Sequence, residues 1–250
     1  MDPHRVRALA LKKTKLGETD LIVTFLAEDG CQVRAVAKGA RKPGSRLGPR
    51  VEPYVVADLL LHTGRSLETI TEAEISDAHG GIRTDYDRSA AASVVADFLD
   101  KVSVECQTED RLFGLAVATL DAIEVAPPDD LLGLVVAFLL KGMAMHGYRP
   151  QFDACASCGA GIGDVVAFSL EGAGPLCSGC ESGAGSVAVS PDAMAACEAL
   201  MRSRMAEAAS LGIPAELGRE CFVLVRAFVG YHLPARLKAL DLYAAGVVRG

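Results

Sequence analysis

Hydrophobic and polar positions follow one pattern in the first 80 residues of the chain and a different pattern after them. The first part holds short apolar runs rich in β-branched residues, separated by glycine, proline and acidic residues. Such runs are typical of β-strands bounded by turns. The pattern predicts five strands, over residues 6–11, 21–27, 31–38, 54–62 and 67–74.

The connections between these strands favour a small closed barrel. Residues 28–30 (Glu-Asp-Gly) predict a hairpin turn between the second and third strands, and residues 63–65 predict another between the last two. Residues 39–53 contain three glycines and three prolines, so they predict a loop. A five-stranded oligonucleotide-binding barrel, the OB-fold, fits this arrangement. An SH3-like barrel or a plain sheet fits it as well.

From about Asp85 the apolar positions recur at helical spacing. Helices are predicted over residues 90–102, 111–123, from Asp129 to about 145, from Ser190 onward, over 217–232, and briefly after Pro234. Asp129 is predicted to cap the third helix, and Ser190, followed by proline, the fourth. The third helix is apolar on nearly every side, which predicts the centre of a bundle. We therefore expect an α+β protein with a barrel domain (1–80) and a helical domain (81–250).

The helical part is interrupted by a glycine- and cysteine-rich module at about 150–189. Within it, two Cys-x-x-Cys pairs are separated by eighteen residues; the four cysteines are Cys155, Cys158, Cys177 and Cys180. This spacing is typical of a zinc ribbon, in which four sulfurs about 2.3 Å from the ion close a tetrahedron. Gly159 and Gly179 are expected to relax the backbone beside the ligands. The module thus predicts one structural zinc ion with no open position for catalysis.

Other chemistry is less well supported. A redox Cys-x-x-Cys pair usually begins a helix in a βαβ setting. A zinc deaminase requires a His-x-Glu motif, and none of the five histidines has glutamate two positions later. No phosphate loop or dinucleotide fingerprint occurs. We therefore predict a protein that is not an enzyme. The remaining cysteines are predicted to be buried small residues: Cys31, Cys106, Cys197 and Cys221.

Charge is divided unevenly along the chain. Residues 1–50 hold eleven basic and five acidic residues, a net charge of +6, whereas the whole chain carries −7, which leaves −13 for the rest. Residues 34–50 contain no acid. The six predicted DNA-binding residues lie here: Arg34, Lys38, Arg41, Lys42, Arg46 and Arg50. Cations on a glycine-containing loop predict a salt-dependent grip on phosphates with little base specificity.

Two other properties complete the picture. Phe25 and Tyr54 are the aromatic residues near the basic segment that could stack on bases, although either can be core. The longest apolar run, residues 131–140, is half the length of a membrane-spanning helix, which needs about 20 residues. No signal-peptide pattern begins the chain. We expect a cytoplasmic, nucleoid-associated protein with no membrane partner.

Three stretches of the chain together resemble one protein family. Lys38-Gly39-Ala40-Arg41-Lys42-Pro43 with Ser45-Arg46 resembles the basic loop of the RecO recombination-mediator family. Gly147-Tyr148-Arg149-Pro150, leading through Asp153 into the first cysteine pair, resembles the entry to its zinc module. Tyr231-His232-Leu233 with Leu237-Lys238 is similar to its C-terminal helix. Their order along the chain agrees with the family.

The resemblance implies an N-terminal OB-fold, a helical domain and an inserted zinc module. It also implies binding of single- and double-stranded DNA, annealing of complementary strands, and cooperation with RecR and single-stranded-DNA-binding protein in loading RecA. The alternative is a zinc-ribbon RNA-binding or transcription adaptor. A third class, a zinc-dependent enzyme, would need an open metal position.

Overall fold

The computed structural model describes residues 3–64, 66–105, 107–161, 165–180 and 185–247, with the side chains of residues 165 and 166 left out. Arg65 of the predicted turn and Cys106 lie outside these residues. The chain divides into two compact units, Met1–Leu120 and Asp121–Gly250, and each is described by itself.

The first unit is built on a closed five-stranded barrel with the strand order β1-β2-β3-β5-β4. Its strands are β1 (His4–Leu16), β2 (Asp20–Ala27), β3 (Gln32–Ala37), β4 (Val56–His62) and β5 (Glu68–Asp77). Neighbouring strands are antiparallel except β3 and β5, which pair in parallel. The predicted OB-fold barrel and the β2–β3 hairpin are confirmed.

β1 is longer than its apolar run predicted. After Leu11 its polar half continues to Leu16 and pairs with the start of β2, ending in the pair Leu16↔Asp20. A register shift between Ala10 and Lys12 marks a bulge. Main-chain pairing with β2 holds this extension, and the apolar pattern of the sequence does not predict such pairing.

The barrel interior is filled by small and branched side chains. Ala8, Val23, Phe25 and Leu59 are completely buried in this cluster. Two helices follow the barrel, α1 (Gly80–Thr84) and α2 (Tyr86–Val102), and α2 packs against β1 and β2. Asp85 caps α2, because its carboxylate accepts a hydrogen bond of 2.9 Å from the backbone N–H of Arg88. The next helix, α3 (Asp110–Val125), contains the division between the units.

The second unit is helical. Its helices are α4 (Leu131–Met145), α5 (Pro191–Arg202), α6 (Met205–Ala208), α7 (Ala215–His232) and α8 (Lys238–Val247). α4 packs against α5, α6 and α7, and most of its residues are buried, which confirms its predicted central position. Ser190 caps α5 as predicted, since its hydroxyl accepts from the N–H of Ala193 at 3.1 Å.

The predicted cap at Asp129 is wrong. A 3-10 turn, Pro128–Asp130, precedes α4, and the residue before the helix is Asp130. Its φ of −90° and ψ of −13° are already helical, and its side chain makes no capping bond. A capping residue needs an extended backbone for its side chain to reach the free N–H groups. The 3-10 turn running directly into α4 removes that geometry.

A three-stranded sheet lies between α4 and α5 in the chain, within the predicted glycine- and cysteine-rich zinc module, for which the sequence analysis gave no strand positions. It has the order β7-β6-β8, with β6 (Val165–Ser169), β7 (Gly174–Cys177) and β8 (Ser186–Ala188). Among the residues that the structure describes, no helix is both long and apolar enough to cross a membrane.

Candidate nucleic-acid interface and metal centre

Residues 38–53, here called the basic loop, are held to the barrel at three points. Ala40 and Val51 are buried in the barrel cluster, and Leu47 packs against it. Between Leu47 and the end of the loop, the chain forms a 3-10 turn, Gly48–Val51. The apolar side chains therefore enter the barrel while the charged side chains between them stay outside, so the loop has a defined conformation.

All six predicted DNA-binding residues are exposed. In the described part of the chain, none of them forms an ion pair; the ion pairs of the barrel involve other cations instead. On β1, Arg7 lies 3.8 Å from Glu28 and Lys12 lies 3.4 Å from Asp100. The charges of Arg7 and Lys12 on β1 are thus compensated locally, whereas those of β3 and the basic loop are available to a polyanion.

Arg41 differs from the other five, because it is bound to the β1–β2 turn. Its Nη1 donates to the carbonyls of Gly17 at 3.2 Å and Glu18 at 2.8 Å, and its backbone N–H donates to Thr19 at 2.9 Å. The sequence analysis grouped Arg41 with the phosphate-binding cations. The structure gives it a scaffold contact in addition.

Asp20 was not identified from the sequence, yet it contacts the basic loop directly. Its Oδ1 accepts hydrogen bonds from the N–H of Gly39 at 2.7 Å and from Oγ1 of Thr19 at 2.9 Å. These two bonds, with the nearby charges of Lys42 and Lys38, lower the pKa of Asp20. No local pattern marks this residue, since its partner is nineteen positions away.

The two aromatic residues near the loop are not available for base stacking. Phe25 is fully buried and Tyr54 is 9% exposed. Burial raises the pKa of the Tyr54 hydroxyl, consistent with a core position. Both rings therefore belong to the barrel core.

The four cysteines of the predicted metal site converge in the second unit. Their sulfur atoms all lie within 4.8 Å of one another. Cys158 Sγ and Cys177 Sγ are 3.9 Å apart, close to the roughly 3.8 Å edge of a tetrahedron with metal–sulfur bonds of about 2.3 Å. The donor set and its spacing fit a closed four-sulfur metal site.

Two tight turns present these sulfurs. In the first, the N–H of Gly159 donates to Cys155 O at 2.8 Å, and Gly159 adopts a left-handed φ of 73°. In the second, the N–H of Cys180 donates to Cys177 O at 2.9 Å, at the end of β7. The predicted glycine conformation occurs at Gly159, whereas Gly179 has no positive φ.

The cysteines of the cluster differ in how readily they ionise. Backbone N–H groups of Cys177, Cys158 and Ser157 lower the pKa of Cys155 to about 6. Sharing of hydrogen bonds with Cys158 raises the pKa of Cys180 to about 12. Four sulfurs this close repel one another as anions, and a divalent cation removes that repulsion.

Aromatic contacts join the cysteine module to α7. The ring of Phe168 on β6 meets Phe228 edge-on, with centroids 5.9 Å apart. Tyr148 stacks on His232 at 4.4 Å, and His232 Nε2 lies 2.8 Å from Leu170 O. The stretches 147–150 and 231–233, identified separately in the sequence, therefore meet in space.

The other cysteines follow the prediction only in part. Cys197 and Cys221 are buried as expected, but Cys31 is half-buried because it lies in the turn before β3. Cys106 lies outside the described residues.

Comparison with known proteins gives full-length matches. The family model for the N-terminal part of recombination protein O matches residues 1–79, and the model for its C-terminal part matches residues 83–241. The DNA repair protein RecO of Frankia casuarinae is 38% identical over 244 residues, covering 96% of this chain and 98% of the relative. That of Thermobifida fusca is 37% identical over 245 residues, covering 97% and 98%. That of Anaeromyxobacter dehalogenans (strain 2CP-C) is 33% identical over 243 residues, covering 96% and 95%. With both family models matched and relatives aligned over nearly their whole length, the chain belongs to the RecO family.

Proposed function

We propose that this protein is a DNA-repair and recombination mediator that binds single- and double-stranded DNA and anneals complementary strands without catalysing a reaction. It acts in the cytoplasm at the nucleoid, where it works with RecR and single-stranded-DNA-binding protein to load RecA. The observation that carries the proposal is the set of exposed, unpaired cations on β3 and the anchored basic loop. The names of the relatives supply the repair context.

The physical basis of binding is neutralisation of phosphates. Each cation that contacts a phosphate releases condensed counterions, so the logarithm of the affinity falls with the logarithm of the salt concentration by about 0.7 per contact on single strands. Bringing two complementary strands together requires overcoming phosphate repulsion, which a cationic surface does without a fuel molecule. Base pairing then supplies the specificity.

The matched test compares two variants that each lose three positive charges. Lys42, Arg46 and Arg50 are unpaired on the loop, whereas Arg5, Arg7 and Lys12 on β1 face acidic partners. Substituting the loop set by alanine should lower affinity for single strands at least tenfold and flatten the salt slope by about 2. The β1 set should have a much smaller effect. Equal losses in the two variants would show that net charge, not the loop, determines binding.

The annealing proposal is tested on complementary strands coated with single-stranded-DNA-binding protein. The wild type should accelerate annealing, and the loop variant should not. An RNA competitor of the same sequence tests the adaptor alternative. If RNA displaces DNA at equal concentration and annealing is absent, the mediator proposal fails.

For the metal centre, we infer one structural zinc ion held by Cys155, Cys158, Cys177 and Cys180. Bound there, zinc supplies cross-linking and charge neutralisation to a glycine-rich module that has a small core of its own. Metal analysis should give one zinc per chain and X-ray absorption four sulfur ligands. Cys177→Ser should lose the metal, and Cys31→Ser, outside the cluster, should keep it. A metal shell with oxygen or nitrogen ligands would contradict the assignment.

A further inference from the structure

An acidic residue lies at the edge of the proposed phosphate-binding loop. Asp20 begins β2, close enough to Lys38 and Lys42 for their charges to lower its pKa. Its own negative charge opposes DNA binding, because it reduces the positive potential that attracts phosphates. A contribution of Asp20 to DNA binding would therefore have to offset this loss of positive potential.

The contacts of Asp20 provide one. Its carboxylate accepts the N–H of Gly39 at 2.7 Å, and Gly39 is held in a left-handed conformation with φ of 65°. The N–H of Lys42 in turn donates to Gly39 O at 3.0 Å, which closes the first turn of the loop. Asp20 thus fixes the backbone between Lys38 and Lys42.

Arg41 makes the reverse connection from the loop to the β1–β2 turn. Its guanidinium binds the carbonyls of Gly17 and Glu18, and its N–H binds Thr19 O. The hydroxyl of Thr19 donates to Asp20 at 2.9 Å and orients the carboxylate. Hydrogen bonds donated in both directions therefore hold the turn and the loop together. The turn itself connects β1 and β2, whose pairing ends at Leu16↔Asp20.

We propose that Asp20 is a positioning residue for DNA: with Arg41 it clasps the β1–β2 turn to the basic loop and presents Lys38 and Lys42 in a conformation ready for phosphates. This inference rests on the proposed DNA-binding function. Preorganisation strengthens binding because the loop need not be ordered when the ligand arrives.

Two substitutions separate positioning from simple charge. Asp20→Asn keeps an oxygen acceptor for Gly39 and Thr19 but removes the negative charge. Asp20→Ala removes both. We expect Asp20→Asn to bind single-stranded DNA as tightly as the wild type or more tightly, and Asp20→Ala to bind about 3- to 10-fold more weakly, although it too has lost an acid. Charge alone would make both variants bind more tightly.

Glu18 offers the matched control. It is an exposed acid in the same turn, and its contact with the loop is through its backbone carbonyl. Glu18→Ala removes one negative charge and leaves the clasp intact, so its affinity should rise slightly. The opposite signs expected for Glu18→Ala and Asp20→Ala are the signature of positioning.

Backbone amide exchange provides a readout at the proposed point of action. The Gly39 amide should lose protection in Asp20→Ala and keep it in Asp20→Asn, while denaturant midpoints report overall folding. Should Asp20→Ala fail to fold, Thr19→Val carries the test, since it removes the hydroxyl that orients the carboxylate and should lower affinity about twofold.

The outcomes distinguish this inference from the proposed function. If the three-charge loop variant loses DNA affinity but Asp20→Ala and Thr19→Val bind at least as tightly as the wild type, the positioning role is wrong and the DNA interface stands. If the loop variant itself binds normally, the proposed function fails and the positioning role falls with it.

Discussion

Gly48 is the residue where the basic loop folds back onto its own beginning. A Cβ atom at this position would lie 2.6 Å from the carbonyl oxygen of Ala40, which is buried in the barrel cluster. Since that oxygen belongs to the backbone, it cannot move without shifting the loop. Glycine is required here by close approach, not by a positive φ.

We therefore expect Gly48→Ala to destabilise the barrel unit by about 1–3 kcal/mol and to weaken DNA binding. Gly80→Ala is the control, because nothing lies within 4 Å of its Cβ position. Denaturant midpoints of the two variants measure the difference. Equal midpoints would mean that the loop adjusts freely.

Lys141 holds the end of a neighbouring helix. Its Nζ donates to three carbonyls at the C-terminus of α5, those of Leu200 at 2.8 Å, Met201 at 2.6 Å and Ser203 at 2.7 Å. Burial lowers the pKa of Lys141, since desolvation disfavours its charged form. The last carbonyls of a helix lack backbone partners within it, and the ammonium group donates to all three; Leu200 O also accepts from Oγ of Ser203 at 3.1 Å.

Lys141→Met keeps the apolar stem and removes the donors. It should lower the free energy of unfolding by about 1–3 kcal/mol, because the carbonyls lose their partner in a half-buried site. Lys238→Met, at an exposed lysine of the same unit, should have little effect. The prediction fails if thermal melting ranks the two variants the other way.

Phe168 is the residue through which β6 packs against α7. It is 1% exposed and lies between Phe152 and Phe228, with centroid distances of 6.2 and 5.9 Å. Phe168→Ala should cost about 3–5 kcal/mol by opening a cavity at this contact. Tyr231→Ala, which removes a half-exposed ring from α7, is the control. Calorimetric unfolding and zinc retention measure both, and similar stability in the two variants would contradict an anchoring role.

Some elements were predictable because a local signal determines them. β2 is a β-rich apolar run ending in Glu-Asp-Gly, and α5 begins with Ser190 and proline, so each carries its boundary in adjacent residues. The spacing of the two Cys-x-x-Cys pairs likewise indicates the cluster of four sulfurs. In each case the signal comes from residues that are adjacent in the sequence or from the repeated Cys-x-x-Cys spacing.

Other elements could not be predicted because distant partners create them. β8 is an example: it lies in a glycine-rich stretch with little periodicity, and it pairs with β6 across residues 170–185, which include β7 and the second cysteine pair. The clasp between Asp20 and Gly39 and the bonds of Lys141 to α5 also join residues far apart in the chain. No window of local sequence contains both halves of such a contact.

At the scale of the molecule, the two compact units divide after Leu120. Compared with the barrel domain predicted over residues 1–80, the first unit also includes α2, which packs against β1 and β2. The boundary predicted near residue 80 concerns parts that fold independently, and it stays a prediction.

Metal removal tests how independent the units are. A chelator should abolish amide protection in β6, β7 and the turn around Cys155, because metal binding and folding of such modules are linked. The amides of β1–β5 should keep their protection, as should DNA affinity. Hydrogen exchange with mass spectrometry measures the effect, and loss of protection throughout the barrel would contradict it.

The pairing of β1 with both β2 and β4 has a consequence for the order of events during synthesis. β2 follows β1 within a few residues, but β4 ends only at His62, so a growing chain exposes one edge of β1 until that strand leaves the ribosome. The chain between β1 and β4 forms a long loop, and the entropy of closing this loop is lost before the stabilising contacts between the two strands form. We therefore expect nascent chains arrested before His62 to remain sensitive to protease, and those long enough to expose β5 to become resistant.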